Sequence, residues 1–265
     1  MADPLALTFQ EVWNSYIPDL YKFVVPIAHK DEHGKECLGS GVFVNLSGRH
    51  FIATAAHVIK DDPRILNDHF YLQNGCLDSD KPTRMLQKRA HPVLDIGFLE
   101  IADQPRAEMT QGQLHLEIPL PGSTMFVIGH PVCRIERDAK RREFIVNRSA
   151  FGTNAIDLQN DYWKLAYPVE GVCVENGAWK YGEKFPETPH GFSGGGCFGI
   201  SKTERAGLEV IEYKLLGIQY SWDDVGRWVK VVPIEHWLDG ALKALQSPSQ
   251  QRNMAFTVSS PTAQP

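Results

Sequence analysis

From Tyr21 onward the chain is a succession of short runs rich in Val, Ile and Phe, and turn residues close nearly every one. The runs are Phe23–Ile27, Gly41–Asn45, Phe51–Thr54, Phe70–Leu72, Ile96–Ile101, Thr124–Ile128, Phe144–Val146, Trp163–Tyr167, Gly195–Ile200, Leu208–Ile211, Leu215–Tyr220 and Trp228–Val232. Such runs are too short for helices, and their β-branched and aromatic content suits a pleated surface. Asn45-Leu46-Ser47-Gly48 supplies a turn between two of them. Many short strands without intervening helical patterns specify an all-β barrel or sandwich and exclude βαβ units.

Helical periodicity is confined to the ends. Phe9 to Tyr16 predicts a short amphipathic helix ahead of Pro18. Ile234, Trp237, Leu238, Ala241, Leu242 and Leu245 recur at helical spacing, and Pro233 suits the first turn of that helix. Pro119-Leu120-Pro121-Gly122 is the best linker between two halves. The expected organisation is a lead-in over 1–20, one barrel over 21–118 and a second barrel with its helix over 119–246. Residues 247–265, rich in Ser, Pro, Gln and Thr, are expected to be a disordered tail.

Composition narrows the function classes. With 27 basic and 32 acidic residues the net charge is -5, which argues against a mainly electrostatic nucleic-acid binder. No apolar run approaches the roughly 20 residues that span a bilayer. The five cysteines, at 37, 76, 133, 173 and 197, show no CxxC pair and no zinc spacing, so no metal and no cofactor is expected. Their odd number and the plain start Met1-Ala2-Asp3-Pro4-Leu5 fit free thiols in a reducing compartment, read as the cytoplasm. The basic stretch with Arg134, Arg137, Lys140, Arg141, Arg142 and Arg148 reads as a solvated loop or hairpin.

Three segments carry chemistry. Thr54-Ala55-Ala56-His57-Val58 puts a His directly after a strand. Leu94-Asp95-Ile96-Gly97-Phe98-Leu99 puts an acid at the start of one. Gly191-Phe192-Ser193-Gly194-Gly195-Gly196 surrounds a serine with glycines, which permits a strained loop whose N–H groups point into a cleft. Each alone has an ordinary structural reading. Together they run His, Asp, Ser, which is the chain order of the chymotrypsin-type triad.

On these residues the chain resembles a trypsin/chymotrypsin-clan serine protease. Lys214-Leu215-Leu216-Gly217-Ile218 and Gly226–Val231 match as well, and the likeness covers roughly residues 20–245. Pro121-Gly122 and Gly129-His130-Pro131 resemble bacterial Deg-type members, although no PDZ-like stretch follows residue 245. The resemblance implies two six-stranded antiparallel β-barrels and a C-terminal helix, with peptide hydrolysis at their junction. Ser193 would be the nucleophile, His57 the base, Asp95 its orienting acid, and the N–H groups of Gly191 and Ser193 the oxyanion hole. The pocket walls would include Glu187, His190, Ser221, Trp222, Gly226 and Trp228. A carboxylate at Glu187 would favour Lys or Arg at the cleaved residue; a surface Glu beside Pro186 and Pro189 is the other reading. His190 is equally an exposed loop residue.

Two departures separate the chain from secreted relatives. Their catalytic serine follows an Asp that pairs with an N-terminus freed by zymogen cleavage, and here that position is Phe192. The cysteine after their catalytic His is Val58. The expected partner is a protein or peptide substrate, with neither nucleic acid nor membrane. The alternative is a protease-fold effector or scaffold that becomes active only when a regulatory partner protein reshapes the loops near Phe192.

Overall fold

The computed structural model describes residues 11–30, 36–60, 71–72, 85–91, 93–102, 104–105, 107–116, 118–119, 124–131, 135–138, 143–146, 149–167, 170–175, 178–184 and 190–246. Glu187, residues 120–123 of the linker and the 247–265 tail lie outside them. So do the side chains of the basic stretch and of every cysteine except Cys197.

The first sheet is built from β1 (Val24–Lys30), β2 (Glu36–Leu46), β3 (Arg49–Thr54), β4 (Tyr71–Leu72), β5 (Met85–Ala90), β6 (Gly97–Ile101) and β7 (Met109–Thr110). Its order is β4-β1-β2-β3-β6-β5, and β7 adds to β2 in parallel. Then come β8 (Met125–Gly129), β9 (Ile135–Asp138), β10 (Glu143–Val146), β11 (Ser149–Thr153), β12 (Ala155–Leu158), β13 (Trp163–Ala166), β14 (Glu170–Glu175), β15 (Ala178–Lys184), β16 (Gly196–Arg205), β17 (Leu208–Asp223) and β18 (Trp228–Pro233). All but the β9–β10 hairpin join one sheet, ordered β12-β13-β18-β17-β16-β8-β11-β14-β15.

That second sheet closes on itself. Only Asn154 separates β11 from β12. β11 pairs with β8 at one end of the strand order while β12 pairs with β13 at the other. The corner is held by Thr153 Oγ1, which donates to the Ala166 carbonyl at 2.6 Å, and by the Ala166 N–H on the Asn154 carbonyl at 3.1 Å. Counting β11 and β12 as one bent strand gives a six-stranded ring, from which the β14–β15 hairpin extends. Among the described residues the two sheets thus hold seven and nine strands where two sixes were expected, and the strand pairing of β7 with β2 is parallel. The excess is β7 on the first sheet and the β14–β15 hairpin on the second.

Burial explains why the central strands read as nearly continuous apolar runs. Successive residues point to opposite faces, and here both faces are covered. Phe43, Ile52 and Leu99 fill the first sheet's own core, while Val42, Val44, Phe51, Ala53 and Phe98 turn outward to a core shared by the two halves. Likewise Met125, Val127, Val229 and Val231 fill the second barrel, and Phe126, Ile128, Ile218 and Val232 face the shared core.

The termini seal that shared core. A π-helical turn over Val12–Tyr16 continues into a helix over Ile17–Leu20, with Trp13 edge-on to Phe126 at 5.7 Å. Helical structure therefore passes Pro18, which sits in the first turn of the second segment, where its missing N–H is harmless. The C-terminal helix Ile234–Gln246 begins immediately after Pro233, which is the last residue of β18. Its Trp237 stacks edge-on against Phe51 and Phe98 and donates its indole N–H to the Gly97 carbonyl at 3.1 Å. The helix thereby clamps the start of β6, two residues past Asp95.

Candidate active site

His57 lies in the one-turn helix Ala56–Lys60 that follows β3, and Asp95 in the turn before β6. Because β3 and β6 pair antiparallel, Thr54 opposite Gly97, the end of one strand meets the beginning of the other. His57 Nδ1 is 2.7 Å from Asp95 Oδ2, and the His57 backbone N–H donates to Oδ1 at 2.8 Å. Half-burial pushes the Asp95 carboxyl up. The hydrogen bonds from the His57 ring and N–H, the His57 charge and the Ala56 N–H outweigh it, and the net direction is below the ordinary carboxyl value. Asp95 is therefore an ionised acceptor near neutral pH, Nδ1 faces it as a donor, and in the neutral imidazole Nε2 then carries the lone pair. The imidazole is 47% exposed.

The serine loop comes to this pair through Gly39 and Ser40 of β2. The Ser40 N–H donates to the Ser193 carbonyl at 2.7 Å. A Cβ on Gly39 would lie 2.6 Å from Cγ1 of Val58, the neighbour of His57, and 3.2 Å from the Ser193 carbonyl oxygen. The Val58 side chain and the Ser193 carbonyl thus flank a strand position where a side chain would be crowded. Across the loop the Gly195 N–H bonds back to the Phe192 carbonyl at 2.6 Å, and Gly194 within that turn has φ = 90°. A turn with positive φ at its third residue calls for glycine. Space demands it too, since a Cβ on Gly194 would stand 1.8 Å from the Ser40 carbonyl oxygen and 2.2 Å from Thr54 Oγ1. Gly191 also has φ = 90°, and neither its N–H nor that of Ser193 has an acceptor among the described residues.

Ser193 Oγ donates to the Tyr220 carbonyl at 3.5 Å; a hydrogen bond to His57 is absent among the described contacts. Catalytic hydrogen bonds often shorten only once substrate is bound. Burial first, then the nearby Asp95 carboxylate and Tyr162, push the Tyr220 phenol up to about 12, so it stays neutral beside Asp95.

Phe192 is fully buried. Its ring packs at 5.7 Å against Phe151 inside the second barrel, and a Cβ on Gly129 would meet it at 2.7 Å. Ser40 is a residue that sequence reasoning missed. It is fully buried, donates its hydroxyl to the Gly191 carbonyl at 2.7 Å and accepts the His130 N–H at 2.9 Å. Its one sequence signal was its place in Leu38-Gly39-Ser40-Gly41, where flanking glycines admit another chain.

The expected pocket residues separate. Trp222 faces inward, opposite Val229, and stacks on Tyr167 at 5.4 Å. Ser221 and Trp228 lie on the sheet's other face, opposite Lys230 and Asp223 respectively. Lys164 and Lys230 each stand over the Trp228 indole, at 5.1 and 5.4 Å. Gly226 lies beneath that indole, where a Cβ would meet Nε1 at 2.3 Å, and donates its N–H to Asp223 Oδ1. His190 is exposed. Cys197 is fully buried and its thiol is pushed up by burial, so it is inert. Among the described residues no group of three metal-ligating side chains occurs, and no helix is long and apolar enough to cross a membrane.

No family model and no curated protein matches the sequence. Solved structures do match. The Rv3671c protease of M. tuberculosis in its active form superposes with a TM-score of 0.54 at 16% identity, covering 94% of this chain and 95% of that one. The serine endoprotease from Yersinia pestis gives 0.52 at 15% identity, covering 92% and 68%. Neuropsin, a serine protease of mouse brain, gives 0.51 at 15% identity, covering 84% and 94%. The chain has the double-barrel fold of the trypsin-like serine proteases.

Proposed function

We propose that the chain is a serine endopeptidase that hydrolyses peptide bonds through Ser193, His57 and Asp95 and an acyl-enzyme intermediate. The observation that carries this is the 2.7 Å contact between His57 Nδ1 and an ionised Asp95, across the Gly39 position from the glycine-bound Ser193. A serine hydroxyl is a weak nucleophile near neutral pH and needs an adjacent base. His57 Nε2 takes the Oγ proton as Ser193 attacks the carbonyl, then returns it to the leaving amine. Asp95 holds the tautomer and stabilises the imidazolium. The unengaged N–H groups of Gly191 and Ser193 receive the oxyanion; one such donor is worth about 2.7–4 kcal/mol. Water, activated by the same imidazole, then releases the acyl group.

Competence without a cleaved N-terminus is part of this reading. Where secreted relatives carry a charge that needs a partner, Phe192 is anchored by apolar burial that is present in the uncleaved chain. One observation favours the second reading, an effector activated by a partner: Ser193 Oγ is turned to the Tyr220 carbonyl. A fluorophosphonate probe separates the two. Labelling of the purified protein, lost in Ser193→Ala, supports the endopeptidase. Labelling only after addition of cell lysate supports the conditional effector, and no serine-dependent labelling under either condition overturns both.

A further inference from the structure

Arg227 carries a guanidinium with no ion-pair partner among the described residues. It ends the turn before β18, with φ = 47°, a conformation uncommon for a non-glycine residue. The turn is fixed from both sides. Asp223 Oδ1 accepts the Gly226 N–H, and the Arg227 carbonyl accepts the Tyr167 N–H at 2.9 Å. The guanidinium consequently lies over the Tyr167 ring, with Cζ 5.7 Å from its centre. Tyr167 is the hub of an aromatic cluster in the second barrel's core. It meets Trp222 at 5.4 Å and Phe151 at 5.2 Å, and Phe151 meets Phe192 at 5.7 Å. One edge of this cluster is therefore the residue before Ser193. The other lies two residues past Tyr220, whose carbonyl holds Ser193 Oγ.

Arg227 is half-buried, and its Nε is buried without a hydrogen-bond partner among the described residues. It makes no ion pair among the described residues. The nearest carboxylate in sequence before it, on Asp224, is exposed, and that of Asp223 is engaged by Gly226. A guanidinium is a planar fork of N–H donors that matches a carboxylate with two parallel hydrogen bonds.

We propose that Arg227 is a specificity residue: its guanidinium receives the carboxylate of a glutamate or aspartate side chain on the substrate residue whose carbonyl Ser193 attacks. This rests on the endopeptidase reading for the cleavage step, while the recognition of an acidic side chain stands on the placement of Arg227 alone. It is opposite in sign to the Lys or Arg preference that a pocket carboxylate at Glu187 would produce.

The test uses peptides identical except at the cleaved residue: Glu, Gln, Asp, Asn, Leu and Arg. Wild type should favour Glu over Gln by roughly 10- to 100-fold in kcat/KM, the range that hydrogen bonds to a charged group supply. Arg227→Gln should bring that ratio close to one, Arg227→Lys should keep part of it, and Arg227→Glu should reverse the preference toward Arg. Should the variants not fold, wild type still decides, because the Glu advantage must fade as pH falls through about 4.3 and the substrate carboxyl is protonated. Wild type that cleaves the Arg or Leu peptide best, with no gain for Glu over Gln, overturns the proposal. Binding of the same peptides to Ser193→Ala, read by tryptophan fluorescence, keeps the two readings apart. Tighter binding of Glu than Gln, lost in Arg227→Gln, with no cleavage by wild type, sinks the endopeptidase and upholds Arg227.

Discussion

The segments bearing His57 and Asp95 are fixed by polar contacts at a half-exposed edge, whereas the loop bearing Ser193 is fixed by a buried ring and by missing Cβ atoms. Two short hydrogen bonds from one residue orient the imidazole, with both side chains partly in water. The Ser193 loop is held by Phe192 in the second barrel, by Gly194 against the first sheet, and by the Ser40 hydroxyl beneath Gly191. On the proposed endopeptidase reading, the contrast follows from the chemistry each side would perform. A base must accept and return a proton, so its support is electrostatic and accessible. An oxyanion hole must not move when charge develops, so its support is packing and backbone geometry.

This division predicts distinct failures on the two sides. The largest effect is chemical and belongs to the polar side: Asp95→Asn should cut kcat about 10⁴-fold by favouring the wrong tautomer. Its melting temperature should move little, because the pair is substantially exposed. Steady-state kinetics with calorimetry on one preparation checks both halves, and a large loss of stability with intact kcat would erase the distinction. Next comes the packed side. Phe192→Ala should cost about 3–5 kcal/mol of stability, as for other buried Phe truncations. Phe192→Leu should recover most of it, and denaturant unfolding reads the difference. Smallest is Ser40→Ala, which leaves the Gly191 carbonyl and the His130 N–H without their shared partner, at about 1–3 kcal/mol. Its fluorophosphonate labelling should slow without any change at the His57–Asp95 pair.

What the sequence made legible tracks burial. β2, β3, β6 and β8 were recognisable because both faces are apolar, one to a barrel core and one to the shared core. β5 and β12, mostly half-buried or exposed, lack that signature and were not anticipated. Nor was β11, where Ser149, Gly152 and Thr153 dilute the apolar pattern. Leu208–Ile211 and Leu215–Tyr220 read as two runs yet form one strand, because Glu212, Tyr213 and Lys214 sit on a projecting hairpin that water reaches. The segments of the site were legible because glycines, a strand-end His and an opening Asp are local features. The weight of Ser40, Phe192 and Arg227 was not, since it arises from residues up to 151 positions away, as in the bond from Ser40 to Gly191. The inward position of Trp222 does not follow from alternation along β17 alone, because the irregularity between Gln219 and Ser221 shifts which residues of that strand face inward.

The central claim is that Ser193 is a nucleophile primed by His57, and mass mapping of the fluorophosphonate adduct on the purified chain tests it most directly. One adduct, on Ser193, lost in Ser193→Ala and strongly slowed in His57→Ala, is the predicted result. An adduct on another residue, or labelling of Ser193 that is indifferent to His57, would contradict it.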